Sequence, residues 1–301
     1  MMSAPFRKYP MTFAPQVRPA LWGCERWLVS GYPARPSVVE NGEYAGRTLS
    51  DLVDTFGAEL TGTKAAAGKP FPLLIKIIEA QEHLSLQVHP NEQTRELCGG
   101  DPKTEMWYVL DGAPDARIFA GFRRGVDREA LAKAISEGDV EEMVVSLPAE
   151  QGGVLFIPGG LVHAIGGGCR LYEVQQTSDT TWRLHDWNRV DPKTGQPRPL
   201  NEREGMAAID WTLPPPTLRR AASPVVCEHF RFSGETVIGE RRVRGRRESF
   251  RILFVAAGDC EVGSAENAPV SLPSGGCVLV PAGLDFMLTA RDPATVLVAE
   301  L

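Results

Sequence analysis

The sequence predicts a mainly β protein built as two β-barrel units with a few short helices. Three observations support this. Thirty glycines and 24 prolines stand among 301 residues, well above the roughly 12% usual for the pair, and they are scattered as turn residues would be. Short apolar or alternating runs bounded by those residues recur along the chain. A glycine-bounded strand also occurs twice: Gly152-Gly153-Val154-Leu155-Phe156-Ile157-Pro158-Gly159-Gly160 matches Gly275-Gly276-Cys277-Val278-Leu279-Val280-Pro281-Ala282-Gly283 position for position.

Residues 1–47, rich in Pro, Gly and Trp, read as extended segments and loops. Thr48-Leu49-Ser50-Asp51 opens a short helix that Gly57 ends. Strands are expected at Leu73–Ile78, Leu84–His89 and Met106–Leu110. Asp127 can cap a helix whose Leu131, Ala134 and Ile135 share a face and which Gly138 terminates, giving a helical insertion of about 127–143. Strands resume at Val154–Ile157 and Leu171–Gln175, a helix follows near Glu202–Ile209, and Leu213-Pro214-Pro215-Pro216 reads as a rigid linker. The expected domains are therefore 1–212 and 213–301. Tyr108–Gly112 matches Phe254–Gly258 more weakly, and the spacing between the two repeated strands differs by about the length of the helical insertion.

Net charge is −6, which gives no general field for nucleic acid or an anionic membrane. Five arginines crowd Arg241–Arg247, but glutamates flank them and a solvated hairpin or loop accounts for them. The six cysteines form no CxxC pair and read as reduced thiols. No apolar leader is visible in MMSAPFRKYP and no run is long enough to span a bilayer. The expectation is a cytoplasmic protein with no nucleic-acid or membrane partner, monomeric or homodimeric.

Four residues form a candidate metal set. In Gln87-Val88-His89 the two potential ligands lie two apart, so on a strand they share a face. Glu105 opens the next strand, and His163 follows the glycine-rich strand end. Amide oxygen, two imidazoles and a carboxylate suit a borderline divalent cation, Zn²⁺ first, with Fe²⁺, Co²⁺ or Mn²⁺ also possible.

The spacing Gly152-x5-Pro158-x-Gly160-x2-His163 resembles the second motif of the cupin superfamily, whose fold is a jelly-roll β-barrel. Gln87-x-His89 with a late Glu105 resembles the short bacterial form of the type I phosphomannose isomerases within it. Pro72–Lys76 leading to Leu84–Pro90, Lys103–Tyr108, Glu173–Asp179 continuing to Arg183, Leu21-Trp22-Gly23 and Asn41-Gly42 extend that resemblance over roughly 18–212. The stretch from Glu105 to Gly153 has no room for the large helical domain of longer members. The chain departs from the pattern at Cys24, at His185 where Tyr is common, and at Leu200-Asn201.

The resemblance implies interconversion of mannose 6-phosphate and fructose 6-phosphate by proton transfer between C1 and C2 through an enediol, on a sugar phosphate substrate, with the metal bound by Gln87, His89, Glu105 and His163. It implies Arg183 as a stabiliser of the enediolate. Lys103, two residues before Glu105, would face the same side as that ligand and polarise a sugar oxygen or shuttle a proton. Glu173 is a candidate acid/base, and Ser85 and Lys76 are candidates for the phosphate end. In the second repeat Arg251 takes the place of Glu105 and Phe286 that of His163, so only the first unit is expected to hold metal. Two readings compete: a non-catalytic sugar-binding or regulatory cupin, and a cupin enzyme acting on another sugar phosphate.

Overall fold

The computed structural model describes residues 5–301; the first four residues of the stretch read above for a leader lie outside the described residues. In chain order the first part comprises β1 (Gln16–Ala20), β2 (Gly23–Ser30), α1 (Leu49–Phe56), α2 (Ala58–Thr61), β3 (Leu73–Ala80), β4 (Leu86–Val88), α3 (Arg95–Cys98), β5 (Glu105–Gly112), β6 (Arg117–Phe122), α4 (Arg128–Glu137), β7 (Val144–Pro148), β8 (Gly153–Ile157), β9 (His163–Ile165), β10 (Cys169–Gln176), β11 (Trp182–His185) and α5 (Glu202–Ala208). The cap residues explain the helix ends. Thr48 Oγ1 accepts from the Asp51 amide at 3.1 Å, Asp127 caps α4 through the Ala130 amide, and Gly138 stops it in the left-handed conformation. Two expected features differ. Residues 1–47 contain β1 and β2, and β4 is confined to three residues, so Ser85 and His89 flank it.

One sheet has the order β1-β2-β3-β10-β5-β8, ending on the short strand Arg219–Arg220, and a second has β11-β4-β9-β6-β7. Neither path returns to its start, so the closed barrel expected from sequence is instead a pair of open sheets. Strand patterning is local and carries no signal of which edges pair. Alternate residues fill the space between the sheets: Ile78 of β3, Trp107 and Val109 of β5, Leu155 and Ile157 of β8, and Leu171 of β10 meet Ile118 and Ala120 of β6 and Ile165 of β9. The other face of the five-stranded sheet carries Leu86, Val88, Phe119 and Ala164, covered by Leu131 and Ala134 of α4 and Ala208 of α5.

The contacts divide the chain elsewhere than at residue 212. One compact unit comprises Val17–Arg26 and Lys76–Arg220; the other comprises the chain up to Gln16, Trp27–Ile75 and Ala221–Leu301. Long-range pairing is the reason, since Met11 and Leu279 exchange backbone hydrogen bonds of 2.8 and 2.9 Å. The second unit is also β, with its own core around Leu253, Val255, Val278, Phe286 and Val296. No helix among the described residues is long and apolar enough to cross a membrane, and all six cysteines are free thiols.

The sequence repeat is a structural repeat. β5 pairs with β8 so that Glu105 lies opposite Ile157 and Tyr108 opposite Val154. The strand Arg251–Ala257 pairs with Cys277–Val280 so that Arg251 lies opposite Val280 and Phe254 opposite Cys277. Every partner in the second pair is the sequence counterpart of one in the first. On the other flank, Leu171 of β10 faces Val109, as Val296 faces Val255. Leu171 is fully buried between the sheets, so Leu171→Ala should destabilise the fold by about 2–5 kcal/mol, measured as a lower urea midpoint.

Candidate active site

The alternation that builds the inter-sheet core also aims the polar residues. Trp107 and Val109 point into the core, so Glu105, at the start of the same strand, faces that side too. By the same parity Glu173 follows Leu171 on β10, Lys76 precedes Ile78 on β3, and His163 precedes Ile165 on β9. Gln87 lies between Leu86 and Val88, which face the helices, and is the register partner of His163. The apolar core thus becomes a polar cluster toward one end of the two sheets.

His89, Glu105 and His163 are each 1% exposed, and their ligand atoms all lie within 4.8 Å of one another. Glu105 Oε2 is 3.4 Å from His89 Nε2, and Oε1 is 3.5 Å from His163 Nε2. Lys103 Nζ stands 3.4 Å from Glu105 Oε2. His163 Nδ1 is 2.8 Å from the Leu161 carbonyl, to which it donates, leaving the Nε2 lone pair toward Glu105. A glycine-rich turn ties the three segments together. The Gly160 amide donates to the His89 carbonyl at 2.7 Å and the Gly159 amide to Thr104 Oγ1 at 3.1 Å. A Cβ at Gly159 would sit 2.5 Å from the Pro90 oxygen, so that approach admits only glycine.

The donor set fits a divalent cation. Both ring nitrogens of His89 and both oxygens of Glu105 are buried without a hydrogen-bond partner, a rare condition that a bound cation relieves. Ser85 Oγ donates to Gln87 Oε1 at 3.2 Å, and Gln87 Nε2 lies 3.2 Å from His163 Nε2. Turning this amide over brings its oxygen to the same space. Protonation states agree with metal binding. Burial and then the Lys103 charge push His89 down to about 3, which keeps it neutral. Burial would raise Glu105, but Lys103, His89 and His163 outweigh it and hold the carboxyl well below the usual range.

A cleft of about 330 Å³ opens beside this cluster, and Ser85, Lys76, Gln87, Lys103, Glu173 and Arg183 all line it. Gln87 and Lys103 belong to this lining and also adjoin His163 and Glu105, so the structure brings every expected site residue to one place. Deep in the cleft Glu173 accepts from Trp107 Nε1 at 2.9 Å and pairs with Lys76 at 3.2 Å, while Lys76 also lies 3.8 Å from Glu25. Burial raises the Glu173 carboxyl, with Lys76 opposing. Toward the mouth, Arg183 Nη1 donates to the Pro199 carbonyl at 2.8 Å. Burial, then the neighbouring Arg198, pushes this guanidinium down from its ordinary value.

Sequence reasoning missed Trp107, Glu25, Arg18, Asp179 and Arg198. Trp107 had a signal, since it shares the parity of Glu105, and Asp179 closes the Glu173–Asp179 motif; Glu25, Arg18 and Arg198 lie where no pattern marks them. His185, where the resemblance leads one to expect Tyr, is buried and accepts from the Trp187 amide at 3.1 Å. Trp187 and Asn188 then adopt φ of 55° and 54°, a conformation that costs a bulky residue about 1–3 kcal/mol. The Trp187 indole N–H compensates by donating to the Leu84 carbonyl at 2.5 Å.

Two open β-sheets packed face to face, with a His–Glu–His group that could hold a metal ion behind a glycine-rich turn, give the layout of the cupin fold. Comparison with known proteins narrows this. Residues 8–110 match the family described as phosphomannose isomerase type I, catalytic domain. Mannose-6-phosphate isomerase ManA of Bacillus subtilis is 34% identical over 223 residues, spanning 67% of this chain and 68% of that protein. The mannose-6-phosphate isomerase of Streptococcus mutans is 38% identical over 186 residues, 62% of this chain and 57% of that protein. A crystal structure of a Bacillus subtilis mannose 6-phosphate isomerase superposes with a TM-score of 0.84 at 26% identity, covering 97% of this chain and 99% of that one. The chain belongs to the type I phosphomannose isomerase family.

Lys76 is fixed between Glu173 and Glu25 with only 3% of its side chain exposed. Lys76→Met would leave the buried Glu173 carboxylate without its cation and facing the partly exposed Glu25, and should lower stability by about 3–5 kcal/mol, read as a fall in thermal midpoint.

Proposed function

We propose that this protein is a metal-dependent aldose–ketose isomerase that interconverts mannose 6-phosphate and fructose 6-phosphate, moving a proton between C1 and C2 through an enediol. The observation that carries the reading is the buried His89–Glu105–His163 group, with its unpartnered donor atoms, beside a polar cleft in a member of this family. Gln87 completes the ligand set, and Zn²⁺ is the expected ion, one per chain. Bound there, the metal supplies Lewis-acid polarisation of the sugar oxygens.

The chain's own side chains do the rest. Lys103, held against Glu105, presents an ammonium group to the cleft and donates to a sugar oxygen. Glu173 takes and returns the proton, and burial that raises its carboxyl brings it closer to the neutral range where a general base works best. Arg183, expected from the resemblance to stabilise the enediolate, instead carries its permanent charge toward the mouth of the cleft and positions the substrate from there. Ser85 steadies the Gln87 amide and lines the sugar site, and Lys76 sets the charge and orientation of Glu173.

A coupled assay should detect fructose 6-phosphate formed from mannose 6-phosphate, with activity abolished by chelator and restored by Zn²⁺. A metal-loaded protein with no turnover that still binds the sugar phosphate would favour the sugar-binding reading instead. Glu105→Gln and His163→Ala should lose the ion in metal analysis, whereas Phe286→Leu should retain it. Glu173→Gln should retain metal and lower kcat by about 10²–10⁴.

A further inference from the structure

The mouth of the cleft holds a cationic group that the reaction described above leaves unused. Arg198 lines it together with Arg183. Arg198 Nε and Nη2 donate to Asp186 Oδ2 and Oδ1 at 2.8 and 2.5 Å, a two-pronged clamp onto a carboxylate that is only 5% exposed. The clamp fixes the guanidinium plane and, among the described residues, leaves Nη1 uncommitted. Arg183 uses Nη1 on the Pro199 carbonyl, and its buried Nε has no partner. Among the described residues no carboxylate lies within ion-pair distance of Arg183. The contrast with the other cations is clear: Lys76 faces Glu173, Lys103 faces Glu105, and Arg18 stands 3.5 Å from both Glu25 and Asp179.

Exposure also sorts the cleft by depth. Lys76, Lys103 and Glu173 are 2–5% exposed, whereas the Arg198 side chain is 21% exposed. Arg18 and Asp179 line the same cleft and are as exposed, but Arg18 is committed to Glu25 and Asp179. A substrate with its C1–C2 end at Lys103 and Glu173 and its far end toward the mouth therefore meets guanidinium charge without a carboxylate partner to spare at Arg183 and Arg198. The strand carrying Arg183 runs into the strained turn at Trp187 and Asn188, which Asp186 opens, and Arg189 next to it pairs with Glu82 at 3.5 Å.

We propose that Arg198, clamped by Asp186 and acting beside Arg183, is the phosphate-recognition group of the substrate site, with Asp186 as its positioning residue. This rests on the sugar phosphate isomerase reading and makes the mouth of the cleft, not Lys76, the place of the phosphate. The surplus guanidinium charge beside an unpartnered Nε is the condition a phosphate dianion relieves, and the planar forks match its oxygens.

The test compares the metal-loaded wild type with Arg198→Met, which keeps the bulk and removes the charge. KM for mannose 6-phosphate should rise about 10- to 100-fold, with kcat changed only a few-fold. Competitive inhibition by inorganic phosphate should weaken in parallel, while metal content stays at the wild-type value and the thermal midpoint falls because Asp186 loses its partner. Arg198→Lys should recover part of the KM loss, and Asp186→Asn should raise KM in the same direction. Unchanged KM and unchanged phosphate inhibition in Arg198→Met would overturn the proposal. So would a fall in kcat with metal loss at constant KM. If Arg198→Met fails to fold, the Arg198→Lys and Asp186→Asn data decide by the same criteria. If the wild type shows no isomerisation, calorimetric titration with fructose 6-phosphate and with fructose separates the questions. Arg198→Met should then weaken only the phosphorylated sugar, and equal binding of fructose 6-phosphate by both proteins would overturn the subsite.

Discussion

Everything at the site depends on one ionised carboxylate held out of water. An isolated buried carboxylate is prohibitively unfavourable, so Glu105 exists in that form only because Lys103, His89 and His163 surround it. Those residues come from the loop before β5, the end of β4 and the start of β9, and each must arrive at a fixed place. The turn at Pro158–Val162 accomplishes this through the Gly159 and Gly160 amides, which bind the segments carrying Glu105 and His89. The inter-sheet core beneath then sets the parity that points all of these side chains one way.

A second buried carboxylate follows the same rule with a different outcome. Glu173 has Lys76 and the Trp107 indole as partners, and Lys76 in turn leans on Glu25. Its surroundings raise it where those of Glu105 lower the neighbour. Two carboxylates on adjacent strands are therefore driven in opposite directions, one held ionised and the other shifted toward its neutral form.

Much of this was legible in the sequence because it is local. The spacing of Gln87 and His89, the parity of Lys103 with Glu105, the cap at Asp127 and the glycine turn before His163 all act within a few residues. The illegible parts depend on contacts far apart in the chain. Glu25 reaches Lys76 only because β2 and β3 are neighbours in the sheet, and the unit boundary shifts because Met11 pairs with Leu279. Asp186 and Arg198 are surface-type residues in irregular segments, where neither periodicity nor motif marks a clamp. Whether the two sheets of the jelly roll close is illegible for the same reason, since closure is a property of edges and not of strands.

The second unit shows what the first retains. The register of the repeated strand pair is the same in both halves, so at these positions the difference lies in the side chains. Glu105 lies opposite Gln175 in the first unit. In the second, Ile252 lies opposite Ala299, which places Arg251 beside Glu300, and the two join at 3.0 Å. Arg246 adds a further contact to Glu300 at 3.0 Å, so this carboxylate is satisfied by guanidinium groups of its own unit. Phe286 fills the counterpart of the His163 position with apolar bulk. One unit thus settles its buried charge internally, whereas the other keeps a carboxylate and an imidazole with unpartnered atoms turned toward a common point. The same fold becomes structural or functional according to whether its buried polar groups satisfy one another or leave that task to a ligand.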